Sequence, residues 1–157
     1  MINDLDLSIV LVHAAERIDR AGIRKLRISA DAPNDYQSLV QEYNRIGIRG
    51  EFRVSSSGIN NSIYGDAMNH ALVRAWHDLV HCENQLDFSL ASEMRVVQLM
   101  IEEIKHKVQA RTTQSIWIDL AGQVLMFHIT DGKFVMDQKK FHNDMIDVLA
   151  STTMYGG

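Results

Sequence analysis

The sequence predicts an α+β fold: a mostly helical single domain over residues 1–157, with a small β-element early in the chain. Three observations predict it. Pro33 is the only proline, so long helices are allowed almost anywhere. Apolar residues recur at helical spacing through most of the chain. Strand-like stretches that stand clear of helical patterning are confined to the region before residue 57.

Taken in order, residues 4–20 place Leu7, Val10, Leu11, Ala14 and Ile18 on one helical face, and Gly22 ends that element. Lys25 to Ser29 reads as a short strand. Asn34 or Asp35, after Pro33, is an N-cap for a helix that buries Leu39, Val40 and Tyr43 and closes at Gly47. Ile48 to Ser56 alternates as a second strand, and the Ser55–Gly58 run with Asn60 and Asn61 is a loop. Asp66 caps a helix from Ala67 to Glu83, and Ser89 caps another from Leu90 to Val108. Residues Gln114 to Ile129 suit either a helix, with Ile116, Leu120, Val124 and Phe127 on one side, or a hairpin. Asp131-Gly132 is a turn, and a last helix from Asp137 to Ala150 buries Phe141, Met145 and Leu149.

The composition, 46% hydrophobic and 23% charged, is that of a soluble globular chain. A net charge of −4 gives no global basic footprint, which argues against nucleic acid as partner. Cys82 is the single cysteine, so no internal disulfide forms, and a reducing compartment suits the chain. The N-terminus is neither a signal peptide nor a membrane span. Together these predict a cytoplasmic protein with no membrane partner. The eight methionines are scattered and read as core filler.

Chemistry concentrates in His77-Asp78-Leu79-Val80-His81. Two histidines four apart share one helix face and can bind one metal ion. His70, His77 and His81 span only about 40° of the helix surface, with Arg74 inside the stripe, while Leu72, Val73, Trp76 and Val80 turn the other way. His70 lies roughly 10 Å along the axis from His77, too far to share an ion easily. Glu93 is the better third ligand, because the short link from Asn84 to Phe88 packs the two helices side by side. Asp78 is the candidate general base for a water held by His77, His81 and Glu93, with a reach one methylene shorter than that of Glu. The alternatives are a core histidine bonded to a backbone carbonyl, and acids that merely line helix surfaces.

The stretch RAWHDLVHCENQLDFSLASEMRVVQLMIEE resembles the active-site region of compact zincin-like metallopeptidases, which carry HExxH, a short link and a Glu on the next helix. It is also similar to a group of bacteriophage-encoded proteins of unassigned function with a WHDxxH core, an aromatic-Ser pair and a Glu. The segment DGKFVMDQKKF resembles that group's second signature. These resemblances imply a zincin-like helix pair, a zinc ion held by His77, His81 and Glu93, a protein or peptide substrate, and the host cytoplasm as compartment. Asp78 departs from the familiar catalytic Glu, which leaves a non-catalytic accessory protein, binding a host or virion protein, as the alternative.

Other constellations carry weaker chemistry. Arg45, Arg49 and Arg53 at spacing four form either an anion site or a charge-paired surface. Cys82, beside His81, diverges from it by about 100° and reads as a buried inert thiol. Asp87, Glu102, Glu103 and His106 read as helix-surface charges, with His106 a reserve ligand. His77-Asp78 is also an HD pair; an HD-type phosphohydrolase would add His13 or His70 and Asp119.

Overall fold

The computed structural model describes residues 2–57, 59–133 and 137–155. It confirms an α+β, mostly helical chain with one small sheet placed early. The order is α1 (Asp4–Arg20), β1 (Lys25–Ser29), α2 (Tyr36–Asn44), α3 (Ile46–Arg49), β2 (Glu51–Ser55), α4 (Ala67–Glu83), α5 (Leu90–Ile104), α6 (Ala110–Trp117), a π turn (Ile118–Gly122), α7 (Gln123–Ile129) and α8 (Gln138–Tyr155). A 3-10 turn, Ile59–Asn61, precedes α4. Gly58 and residues 134–136 of the DGKFVMDQKKF segment lie outside the described residues.

The strands pair in parallel, with Lys25 opposite Glu51 and Ser29 opposite Ser55, and α2 and α3 form the crossover that parallel pairing requires. The expected strand from Ile48 is shorter than its alternation suggested. Gly50, at φ 65°, takes the left-handed conformation that ends α3, so Ile48 and Arg49 are helical and pairing starts at Glu51. Gly47 therefore does not close α2; Arg45 is its C-cap. Glu42 is buried on α2, whereas Val40 and Tyr43 are only half-buried.

Capping follows the sequence closely. Asp35, Asp66 and Ser89 accept from the backbone N–H groups of Ser38, Asn69 and Ser92 at 2.8, 2.9 and 3.3 Å. Helix α5 stops at Ile104 rather than Val108. The segment around 114–129 is helical throughout and not a hairpin; it starts at Ala110 and is interrupted by the π turn. On α8, Gln138 and His142 are buried, Phe141 and Met145 are half-buried, and Leu149 is 38% exposed rather than core.

Helix α4 runs through the middle. Ala71, Ala75, Leu79 and Cys82 face the sheet side with Phe52, Val54 and Leu39. Val73, Trp76 and Val80 face α1, α5 and the π turn, packing with Val10, Val97, Met100 and Leu120. Two apolar clusters thus grip one helix from two sides, and its histidine stripe faces a third direction.

Glu103 is not the plain surface charge its position suggested. Its Oε2 accepts from the Trp76 indole N–H at 2.8 Å and from the Arg17 Nε at 3.3 Å, and lies 2.7 Å from His13 Nε2. One carboxylate therefore ties α1, α4 and α5. Trp76 has no solvent exposure, so an indole N–H without an acceptor costs about 1–3 kcal/mol. Glu103→Ala is expected to lower the unfolding free energy by that amount, and with it the urea midpoint, and Glu103→Gln, which keeps an acceptor oxygen, by clearly less. Equal midpoints for wild type and Glu103→Ala in urea titrations would refute this role.

Candidate metal centre

The site is built from the link inward. Asn84 caps α4, and Gln85 adopts a positive φ of 53°, which turns the chain sharply back. Leu86 N–H then donates to the His81 carbonyl at 2.9 Å. The Leu86 carbonyl in turn lies 2.8 Å from His81 Nδ1, and Phe88 meets the His81 ring edge-on at 5.1 Å. Ser89 opens α5, which puts Glu93 in its first turn, where the positive helix end favours a carboxylate.

The three expected ligands converge. Glu93 Oε2 lies 3.2 Å from His77 Nε2 and 3.1 Å from His81 Nε2. The three side chains offer one ligand atom each, all within 4.8 Å of one another, and together they could hold a metal ion. Tetrahedral ligands with bonds of about 2.0–2.1 Å stand about 3.3 Å apart, so these separations suit one ion without rearrangement of the helices. His77 is 6% exposed, His81 fully buried and Glu93 8% exposed.

The outer edges of both rings are also held. A His81 proton on Nδ1, donated to Leu86, leaves Nε2 with a lone pair for a cation. His77 Nδ1 lies 3.3 Å from Asp78 Oδ1. This is the second-layer pattern that orients metal-binding imidazoles. Asp78, expected as a general base, thus sits on the opposite edge of His77 from Glu93. The cause is local: one residue along a helix turns about 100°, and a short side chain reaches only its neighbour's near edge.

Without a metal, a proton serves the same carboxylate. Burial opposes a charged His77, but its hydrogen bonds to Asp78 and Glu93 prevail and raise its pKa to about 9. Burial likewise opposes an ionised Glu93, yet hydrogen bonds from His77 and His81 hold it well below the usual carboxylate range. Metal uptake therefore competes with protons on the imidazoles.

Other nominated residues fall elsewhere. His70 faces Ser62, with Nδ1 2.9 Å from Oγ, and does not join the triad. His13 belongs to the Glu103 cluster. Asp119, fully enclosed on the π turn, is pushed up to about 6 by burial, against the pull of Arg74, Tyr64 and His77. Arg53 is held by Glu42 through its Nε and Nη2 at 3.1 and 2.9 Å, so of the three arginines this one is charge-paired, while Arg45 and Arg49 are exposed. Glu102 pairs with Lys105 at 2.6 Å beside exposed His106. Cys82 is buried, and burial, with Asp78 and Glu83 nearby, lifts its thiol to about 12, as an inert thiol requires.

The sequence left unmarked Tyr64, whose hydroxyl faces Asp119, and a buried pair in which His142 Nε2 lies 2.8 Å from Ser115 Oγ. Ser115, Asp119 and Gln123, four apart in an otherwise apolar stretch, were the available signal. No protein-family model, curated protein or solved structure matches this chain. Among the described residues, no helix is long and apolar enough to cross a membrane.

His70 supplies a pH test. Burial, aided by the Arg74 charge and against a small pull from the Ser57 backbone, lowers it from 6.5 to about 4. Between those values the unfolded chain binds the extra proton, so stability rises with pH across that window. About 3 kcal/mol should be lost from this group on acidification from above pH 6.5 to pH 4. Urea midpoints measured across that range should flatten in His70→Gln; an unchanged slope would count against the assignment.

Proposed function

We propose that the chain is a metal-dependent hydrolase whose zinc ion is held by His77, His81 and Glu93. The observation that supports it best is the convergence of two Nε2 atoms and one carboxylate oxygen at 3.1–3.2 Å, with the far nitrogen of each ring placed against its own acceptor. Three protein ligands of this kind, with a fourth position left over, are the donor set of catalytic rather than structural zinc sites. A zinc ion bound there supplies Lewis acidity, polarising a substrate oxygen. Glu93 gives the charge, His81 is fixed by Leu86, and His77 is fixed by Asp78, which orients the ring instead of taking a proton from water.

In this reading the hydrolytic role follows from the resemblance of the motif to zincin-like peptidases, and a phage origin from its resemblance to phage-encoded WHDxxH proteins of unassigned function. For a peptide substrate the structure offers less support, because the sheet packs on the Ala71, Ala75 and Leu79 face of α4, away from the histidine stripe. A second reading, a non-catalytic accessory protein that binds a host or virion protein, is favoured by one observation. The triad is buried, and neither of the clefts around Glu103 and Arg53 is lined by it.

Elemental analysis after reconstitution with zinc and removal of excess is expected to give about one ion per chain, matching one triad. His77→Ala and Glu93→Gln should lose it. Asp78→Asn should keep the site but weaken affinity about 10–100-fold, as loss of an orienting partner does. A wild-type chain that retains no zinc would end the proposal. Zinc retained in Asp78→Asn at undiminished affinity would remove the orienting role.

A further inference from the structure

The sheet has two strands and therefore two outer edges, and the chain treats them differently. In the parallel register Lys25 stands opposite Glu51, and its N–H donates to the Gly50 carbonyl at 2.9 Å. Backbone groups alternate in direction along a strand, so those of Lys25, Arg27 and Ser29 face β2. The N–H and C=O groups of Leu26 and Ile28 face the other way. On β2 the outward set is Glu51, Arg53 and Ser55, and α2 attends to its centre: Glu42 Oε1 accepts from the Arg53 backbone N–H at 3.1 Å. Among the described residues, no backbone or side-chain group does the same for Leu26 or Ile28. Strand β2 holds one edge of β1, and α4 packs against its apolar face. That leaves the outer edge of β1 open among the described residues.

An open edge is a template for a further strand, and its side chains say which kind. Leu26 and Ile28 are half-buried and pack toward the cluster of Phe52 and Val54. Lys25 and Arg27 stand on the opposite, solvent face, their side chains 63% and 54% exposed. They share one carboxylate, Glu51, at 4.0 and 3.7 Å. Exposed Arg24, just before the strand, makes no ion pair among the described residues. A chain of net charge −4 thus concentrates Arg24, Lys25 and Arg27 along its open edge.

A guest strand sets alternate residues opposite Lys25 and Arg27, and the rest opposite Leu26 and Ile28. Acidic residues suit the first set and apolar residues the second. A second copy of this chain is the wrong guest. Strand β1 against β1 would bring Lys25 and Arg27 of both copies together, and like charges across a strand pair destabilise it.

We propose that the outer edge of β1 takes an extended segment of a partner protein, with acidic and apolar residues alternating, as a third strand. The sheet packs on the face of α4 turned away from the histidine stripe, so this site is separate from the triad and does not depend on zinc.

The test is fluorescence anisotropy on the full chain with a labelled, end-blocked peptide of alternating Glu and Val, long enough to span β1. It is expected to bind, and a Lys–Val counterpart to bind at least about tenfold more weakly. Lys25→Gln combined with Arg27→Gln, both on the solvent face, should weaken the Glu–Val peptide about fivefold or more. Two further peptides separate strand addition from charge attraction. One carries an N-methyl group on every Val, the other on every Glu, so each blocks one backbone edge of the guest. Only one edge meets β1, so one of the two should lose about tenfold or more in affinity and the other keep it. Loss in the Val series marks an antiparallel guest and loss in the Glu series a parallel one; either supports the proposal. Ile28→Pro removes one outward N–H, a change that edge strands tolerate, and should weaken the peptide about tenfold. If that variant is unfolded by circular dichroism, the methylated peptides decide.

No binding of the Glu–Val peptide, or equal binding of the Lys–Val peptide, overturns the proposal. So does affinity kept in both methylated peptides, or lost in both. A dimer in sedimentation equilibrium that Lys25→Gln with Arg27→Gln tightens and added Glu–Val peptide dissolves assigns the edge to a second copy, and also overturns it.

Discussion

Helix α4 is covered on nearly every side, and the rest of the fold follows from what that coverage demands. An exposed helix can leave its polar side chains to water. A central one cannot, because each buried polar group without a partner costs about 1–3 kcal/mol. Here the helix carries His70, Trp76, His77 and His81, all almost without exposure. They therefore draw partners from three elements: Ser62 from the preceding loop, Glu103 and Glu93 from α5, and the Leu86 carbonyl from the link. The carboxylates that serve α4 stand ten residues apart on α5, so one packing geometry must satisfy both. That requirement fixes the relation of the two helices more tightly than apolar contact alone.

The same pairing explains why the centre can persist with or without a cation. Two imidazoles and a carboxylate can be satisfied by one shared proton or by one metal, and the ring edges away from Glu93 are held in both states. The helices need not move when the ion enters. Such pre-organisation strengthens binding by removing the ordering that a loose site must undergo. It also means that removing Glu93 leaves two buried imidazoles facing each other, so the carboxylate matters to the apo fold as well as to the centre.

The legible parts of the chain were those governed by local rules. Asp35, Asp66 and Ser89 cap where their side chains predict, and β1 spans Lys25 to Ser29 as read. The triad was legible because i, i+4 spacing is a local rule and the five-residue link leaves Glu93 little freedom. What could not be read depends on distant partners. Glu103 has a surface helix address, and only the crossing of α1 and α4 converts it into a hub for Trp76, His13 and Arg17. Glu42 is buried because Arg53, eleven residues on, folds back to it. Asp78 matches the catalytic position of a familiar motif; in place it meets His77 Nδ1, a matter of rotamer and distance that spacing does not encode.

The π turn is where local and distant demands part most clearly. A π turn accommodates one extra residue and shifts the phase of the helix after it. Here it carries Asp119 inward, where burial raises its pKa from 3.8 to about 6. That shift corresponds to about 3 kcal/mol against the ionised form, and an apolar residue of similar size would avoid it. Arg74 offsets part of it through charge. A helix irregularity that buries a carboxylate within reach of the charge of half-buried Arg74, one turn from a metal-ready histidine, opposes stability. Unfavourable burial of a titratable group is of the kind that concentrates at functional sites. The packing around α4 supplies the stability that permits it.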